Sequence, residues 1–220
     1  MKKKYKAILF DYDGTIIDTN RLIVDSWNHM YREYCGGILA DDDVKWTFGI
    51  PLREGVDRVM QIKGHSGYDL DALVDSYREF QTFAWATEAK IFDGIPETIN
   101  ALKAKGALLG IVTSRVSKSL IDGLKKYGLF DYFDSIVCAE STPIHKPLPE
   151  PALICCRELA IEPSEAVMVG DSVFDLQCGN AAGCDSCFVT WSFATSIEKA
   201  IAEGHPTVII DNPEQLLELV

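Results

Sequence analysis

Short apolar runs and helix-period stretches alternate over most of the chain. Residues 6–10 (KAILF) form one such run, and similar runs recur at 108–112 (LLGIV), 136–138, 166–169 (AVMV), 186–190 and 207–210. Runs this short, without polar alternation, suit parallel strands covered on both faces. Between them lie helical patterns at 96–105, 117–127, 174–182 and 196–203, each followed by a glycine: Gly106, Gly128, Gly183 and Gly204. Glycine beyond the last periodic residue stops a helix because it takes a left-handed conformation without strain. Pro149 or Pro151 opens a further helix that runs to Ala160. The alternation predicts an α/β fold, a doubly wound, Rossmann-like parallel sheet.

The alternation fails between about 18 and 92. Leu22, Ile23, Ser26, Trp27, Met30, Tyr31 and Tyr34 repeat at helical spacing, and so do Leu70, Leu73, Val74, Tyr77, Phe80 and Ala84. Weaker helices are expected over 41–47 and 52–62. Four helices in succession after one strand read as an inserted all-α unit.

A chain of 220 residues has room for one domain carrying such an insertion. Its 21 Lys and Arg against 33 Asp and Glu give a formal charge of −12, which excludes a broad nucleic-acid or anionic-membrane surface. A small anionic substrate needs only a local positive site and stays allowed. No apolar run approaches the roughly 20 residues of a membrane span. The basic start at Met1-Lys2-Lys3-Lys4 is followed by only four apolar residues before Asp11, too few for an export signal. Seven scattered cysteines, an odd number, favour reduced thiols and a cytoplasmic protein. Cys184 and Cys187 are spaced C-x-x-C, but no second pair exists to complete a zinc site, and there is no Gly-rich phosphate loop.

Four segments carry candidate chemistry. Asp11-Tyr12-Asp13-Gly14-Thr15 follows the first strand directly, where an open α/β sheet forms its ligand crevice. In extended chain Asp11 and Asp13 face the same side, and Gly14 permits a tight turn. Gly170-Asp171-Ser172 follows the AVMV run, and Asp175 falls one helical turn later, so both carboxylates can address one site. Thr113-Ser114-Arg115 follows LLGIV, with hydroxyls and helix-entry N–H groups suited to a phosphate oxygen. Lys146, in His145-Lys146-Pro147-x-Pro149, is a cation held by flanking prolines.

Together, in this order, the four segments resemble the motifs of the haloacid-dehalogenase-like superfamily of phosphohydrolases. Thr19-Asn20-Arg21-Leu22-Ile23, Tyr77-Arg78-Glu79-Phe80, Lys146-Pro147 and Trp191-Ser192 are most similar to its phosphoglycolate phosphatase and bacterial pyrophosphatase branch. The resemblance implies a core from 1–17 and 93–220 and a helical cap over 18–92, hinged near 18–20 and 92–94. It implies a Mg²⁺-dependent phosphatase in which Asp11 is the nucleophile and forms an aspartyl-phosphate. Asp11, Asp171 and the Asp13 carbonyl would hold the metal, with Asp175 orienting its water shell or Lys146. Lys146 and Thr113 would bind the transferring oxygens, Ser114 being the alternative hydroxyl, and Asp13 would be the general acid and base. Ser114, Arg115 and, from the cap, Arg53 are further substrate-binding candidates. The implied partner is a small phosphorylated metabolite, with no nucleic acid and no membrane, acted on by a monomer or homodimer. Inorganic pyrophosphate hydrolysis and β-phosphoglucomutase-type transfer are the alternatives. β-Phosphoglucomutases tend to carry Glu-Asp where this chain has Gly170-Asp171, and true dehalogenases lack the carboxylate found here as Asp13.

Overall fold

A computed structural model describes residues 4–220, and the basic start at Met1-Lys2-Lys3 lies outside them. The chain opens with β1 (Ala7–Phe10), the short β2 (Ile17–Asp18) and four helices: α1 (Asn20–Cys35), α2 (Asp41–Val44), α3 (Leu52–Ile62) and α4 (Leu70–Glu88). It returns through β3 (Lys90–Ile91) to α5 (Ile95–Ala104), β4 (Leu108–Val112), α6 (Ser117–Lys126) and β5 (Ser135–Val137). The remainder is α7 (Glu150–Glu158), β6 (Ala166–Gly170), α8 (Val173–Ala182), β7 (Asp185–Val189), α9 (Ile197–Lys199) and β8 (Val208–Ile210). The expected elements are present, with most ends shifted by one or two residues.

Six strands form one parallel sheet in the order β5-β4-β1-β6-β7-β8. β1 is central because every one of its residues can be buried: Ala7, Ile8, Leu9 and Phe10 are all fully inaccessible. Its side chains alternate between two layers. Ile8 and Phe10 join Leu109, Ile111, Val167 and Val169 on one face, and Ala7 and Leu9 join Val112, Ala166 and Met168 on the other. From β1 the chain moves outward through β4 to β5, then crosses back to β6 on the other side of β1. The ends of β1, β4 and β6 therefore frame a crevice at the point where strand order reverses.

The helices α1–α4 have a core of their own, built on Val24, Trp27, Met30, Val56, Val59, Leu73, Val74 and Tyr77. Trp27 meets Tyr77 edge-on at 5.8 Å. β2 and β3 pair antiparallel, Ile17 with Ile91 and Asp18 with Lys90, where the chain enters and leaves this helical unit. Two-residue strands are too short to leave a periodic signal, and this pairing is absent from the sequence-based expectation.

One expected helix stop is corrected. Gly106, Gly128 and Gly183 do take left-handed conformations, but Gly204 does not: the helix beyond α9 widens into a π turn over 200–204 and His205 takes the left-handed position, φ 48°. Gly204 instead makes room for Leu176, which a Cβ there would strike. Among the described residues no helix is long and apolar enough to cross a membrane, and the seven cysteines are free thiols.

Candidate active site

Asp11 is the first residue past β1, and its backbone N–H donates to Val169 O of β6 at 2.8 Å. Asp171 stands at the same level past β6, and Asp175 sits in the first turn of α8. Ligand oxygens of Asp11, Asp171 and Asp175 all lie within 4.8 Å of one another. Lys146 closes the group, its Nζ donating to Asp11 Oδ1 at 2.8 Å, Asp175 Oδ1 at 2.5 Å and Val112 O at 3.3 Å. Exposures of 4% for Asp11, 3% for Asp171, 0% for Asp175 and 3% for Lys146 put all four charges out of bulk water.

Local sequence explains how the carboxylates come so close. Gly14, at φ 78°, turns the chain after Asp13, and any Cβ there would fall inside the Asp171 carboxylate. Gly170 is required by space alone, because a Cβ would collide with the Asp175 side chain. Ser172 caps α8: its N–H and hydroxyl donate to Asp175 Oδ2 at 3.0 and 2.6 Å. Asp175 is thus held from one oxygen by the cap and from the other by Lys146.

The electrostatics follow from three carboxylates facing one ammonium in a dry site. Burial, reinforced by the Asp175 charge and opposed by Lys146, pushes the Asp11 carboxyl up to about 7. Burial, then Asp175 and Asp11, holds Asp171 well above the usual carboxylate range. Burial alone would lower the Lys146 ammonium, but the two carboxylates outweigh it and hold it above its ordinary value. Such a surplus of buried negative charge, presented by oxygens only, fits a hard divalent cation and suits neither a soft metal nor a redox centre.

The other candidates divide. Asp13 does not join the three carboxylates; its Oδ1 accepts from Thr19 Oγ1 at 2.9 Å and from Arg115 at 2.8 Å. Thr113, at the end of β4, accepts the Arg115 N–H on its Oγ1 at 3.2 Å, which leaves its own hydroxyl proton uncommitted. Ser114 has used its proton on Gly49 O of the helical unit, at 2.7 Å. The Ser117 N–H at the start of α6, expected to face a phosphate, is taken by Glu140 at 2.9 and 3.2 Å. Arg53 is ion-paired with Asp71 on α4 and half exposed.

Asp11, Asp13, Asp171, Thr113, Ser114, Arg115 and Arg53 line one cleft of about 590 Å³ between the sheet edge and the helical unit, whereas Lys146, Asp175 and Ser117 do not. Arg78, Gln81, Thr82 and Trp85 share its wall, the i, i+3, i+4, i+7 face of α4. The sequence assigns Asn20 and Ser192 no chemical role. The structure links them: Asn20 Nδ2 donates to Ser192 Oγ at 2.9 Å, which donates to Asp171 Oδ2 at 2.5 Å. Nothing in a spacing of 172 residues signals that contact.

Comparison with known proteins agrees in type. The family described as haloacid dehalogenase-like hydrolase matches residues 8–189. Pyrophosphatase PpaX of Bacillus velezensis is 34% identical over 216 residues, 98% of this chain and 93% of that protein. A solved haloacid dehalogenase-like hydrolase from Bacteroides fragilis is 28% identical with a TM-score of 0.86, covering 97% of this chain and all of its own. A β-phosphoglucomutase from Clostridium difficile shares the fold, with a TM-score of 0.81 at 21% identity over 96% of this chain and 93% of its own.

Proposed function

The chain belongs to the haloacid dehalogenase-like hydrolases and is a phosphatase, and from that premise we propose that it hydrolyses a small phosphorylated metabolite of the phosphoglycolate type, with Mg²⁺, through Asp11. The observation that carries this reading is the convergence of Asp11, Asp171 and Asp175 at the strand-order switch, with Lys146 bridging Asp11 and Asp175. The core is read as 1–17 and 93–220 and the moving cap as 18–92, with β2 and β3 spanning the hinge. The enzyme works in the cytoplasm as a monomer or homodimer.

Asp11 and Asp171 would hold Mg²⁺, joined by the Asp13 carbonyl, with Asp175, bound by Lys146 and Ser172, orienting the water shell or Lys146. When bound, the ion supplies positive charge between the carboxylates and the incoming phosphate, whose repulsion is the main obstacle to attack. Asp11 attacks phosphorus and becomes an aspartyl-phosphate. Lys146 and the uncommitted Thr113 hydroxyl take the transferring oxygens. Asp13 protonates the leaving oxygen, then removes a proton from the water that releases phosphate. Closure of the helical unit over the cleft excludes bulk water during transfer, and Arg53 on its rim contributes to substrate choice.

Pyrophosphate is the second reading, favoured by the PpaX relatives. The mutase reading is disfavoured by Gly170: a glutamate there would need the space Asp175 occupies. A screen of phosphoglycolate, pyrophosphate, nucleoside monophosphates and sugar phosphates, run with Mg²⁺ and again after EDTA, tests all three. We expect stoichiometric phosphate release that chelation abolishes and Mg²⁺ restores. Full activity after exhaustive chelation, or isomerisation of β-glucose 1-phosphate faster than phosphate release, would overturn the proposal.

A further inference from the structure

The Arg115 side chain is nearly buried at the mouth of the cleft and paired with a carboxylate. It is 7% exposed, and its guanidinium donates to Asp13 Oδ1 at 2.8 Å. The same group lies over the Trp85 ring of α4 at 4.1 Å and over Tyr12 at 5.7 Å. Its Nε is buried without a hydrogen-bond partner among the described residues. Removing a guanidinium from water is costly, and the offset comes from one carboxylate and two aromatic faces. A cation meant to grip a phosphate would be expected to aim its donors into the cleft; this one aims at Asp13.

Asp13 Oδ1 already accepts from Arg115 and Thr19, whereas Oδ2 makes no hydrogen bond among the described residues. Only an oxygen free of donors can carry a proton toward a substrate. We propose that Arg115 is a positioning residue that fixes Asp13 by Oδ1 so that Oδ2 serves as the proton-carrying atom, and that Trp85 of the helical unit holds Arg115 in that pose. This rests on the acid-base role assigned to Asp13 above. In the first step the Oδ2 proton passes to the leaving oxygen as its bond to phosphorus breaks. In the second, Oδ2 takes a proton from water as the water oxygen bonds to phosphorus and Asp11 is released. Oδ1 keeps its two donors throughout. Because Trp85 belongs to α4, Asp13 is aimed only when that helix is docked on the sheet edge.

The test uses leaving groups. An alkyl phosphate needs its leaving oxygen protonated; p-nitrophenyl phosphate leaves as a stable phenolate and does not. In the Mg²⁺-loaded enzyme, kcat/KM reports the first step. Arg115→Met should lower kcat/KM for phosphoglycolate by roughly 100-fold, in the range of lost general acid catalysis, and for p-nitrophenyl phosphate by less than about 5-fold. Trp85→Leu should show the same asymmetry at about 10-fold, and it carries the test alone if Arg115→Met does not fold by circular dichroism. Asp13→Asn sets the scale. If Asp13→Asn discriminates between the substrates and Arg115→Met lowers both equally, Arg115 binds phosphate and the inference fails. If Arg115→Met changes neither, it also fails. If Asp13→Asn itself shows no asymmetry, the acid-base reading falls and takes this inference with it.

Discussion

The floor and the rim of the cleft use the same interaction, a cation beside a carboxylate, under opposite conditions. On the floor, Lys146 with Asp11 and Asp175 is at most 5% exposed at every side chain. On the rim, Arg53 and Asp71 are 56% and 77% exposed. Buried charges must be fully partnered, so each atom's place is dictated by its neighbours: Gly14 and Gly170 clear the space, Ser172 and Ser192 fix the carboxylates, and Lys146 spans two of them. Exposed charges are solvated wherever they go, so nothing fixes them. Chemistry that demands sub-ångström geometry sits on the floor, and groups free to differ with substrate sit on the rim.

Four changes would break or sharpen that contrast. The largest effect belongs to Asp11→Asn, which keeps the shape and removes the charge proposed to attack phosphorus. Phosphate release should fall on the order of 10⁴-fold with the far-ultraviolet circular dichroism unchanged. Residual turnover above a few per cent would mean that the floor is not the reaction centre.

Lys146→Met leaves Asp11 and Asp175 buried without their shared cation. Breaking a buried pair costs about 3–5 kcal/mol. For a domain of this size that is a drop in Tm of roughly 6–20 °C, read by calorimetry. An unchanged Tm would show that water reaches the floor after all.

The third change is in pH. An unfolded Asp11 loses its proton near its ordinary 3.8, whereas the folded one keeps it to about 7. Between those values the folded state binds the extra proton, so stability is highest at the acid end of this window and falls as pH rises, levelling off above about 7. Metal-stripped protein should therefore melt at a lower temperature at pH 8 than at pH 5, after allowing for other titrating groups with an Asp11→Asn control. Millimolar Mg²⁺ should narrow the gap by stabilising the ionised carboxylates at high pH. A gap of the same size in Asp11→Asn would assign the effect elsewhere.

The smallest effect is expected from Arg53→Ala. An exposed pair contributes about 0–1 kcal/mol and is screened by salt, so the Tm should hardly move. Any consequence should appear as a change in relative kcat/KM among substrates; a Tm loss as large as that of Lys146→Met would erase the distinction between rim and floor.

Much of this was legible from the residues in order. Apolar runs of four or five residues and glycines in the left-handed region at three of the expected helix stops are local features, and the sheet and the helical insertion followed from them. Asp11 and Asp171 were identifiable because strand ends in an open sheet share one edge, Asp175 by its spacing from Asp171, and Lys146 by its neighbouring prolines. What only the folded chain decided is which polar atoms are already occupied. Ser114 gives its proton to Gly49, Glu140 takes the α6 entrance, Asp71 pairs with Arg53, and Arg115 on the cleft wall is bound to Asp13 and Trp85. Each of these contacts joins residues 18 to 102 positions apart, and a hydrogen bond or ring contact depends on distances of a few ångströms that sequence separation does not encode. Residue type and local period determined what could stand at the sheet edge; packing of the helical unit against it determined which groups remain free to react.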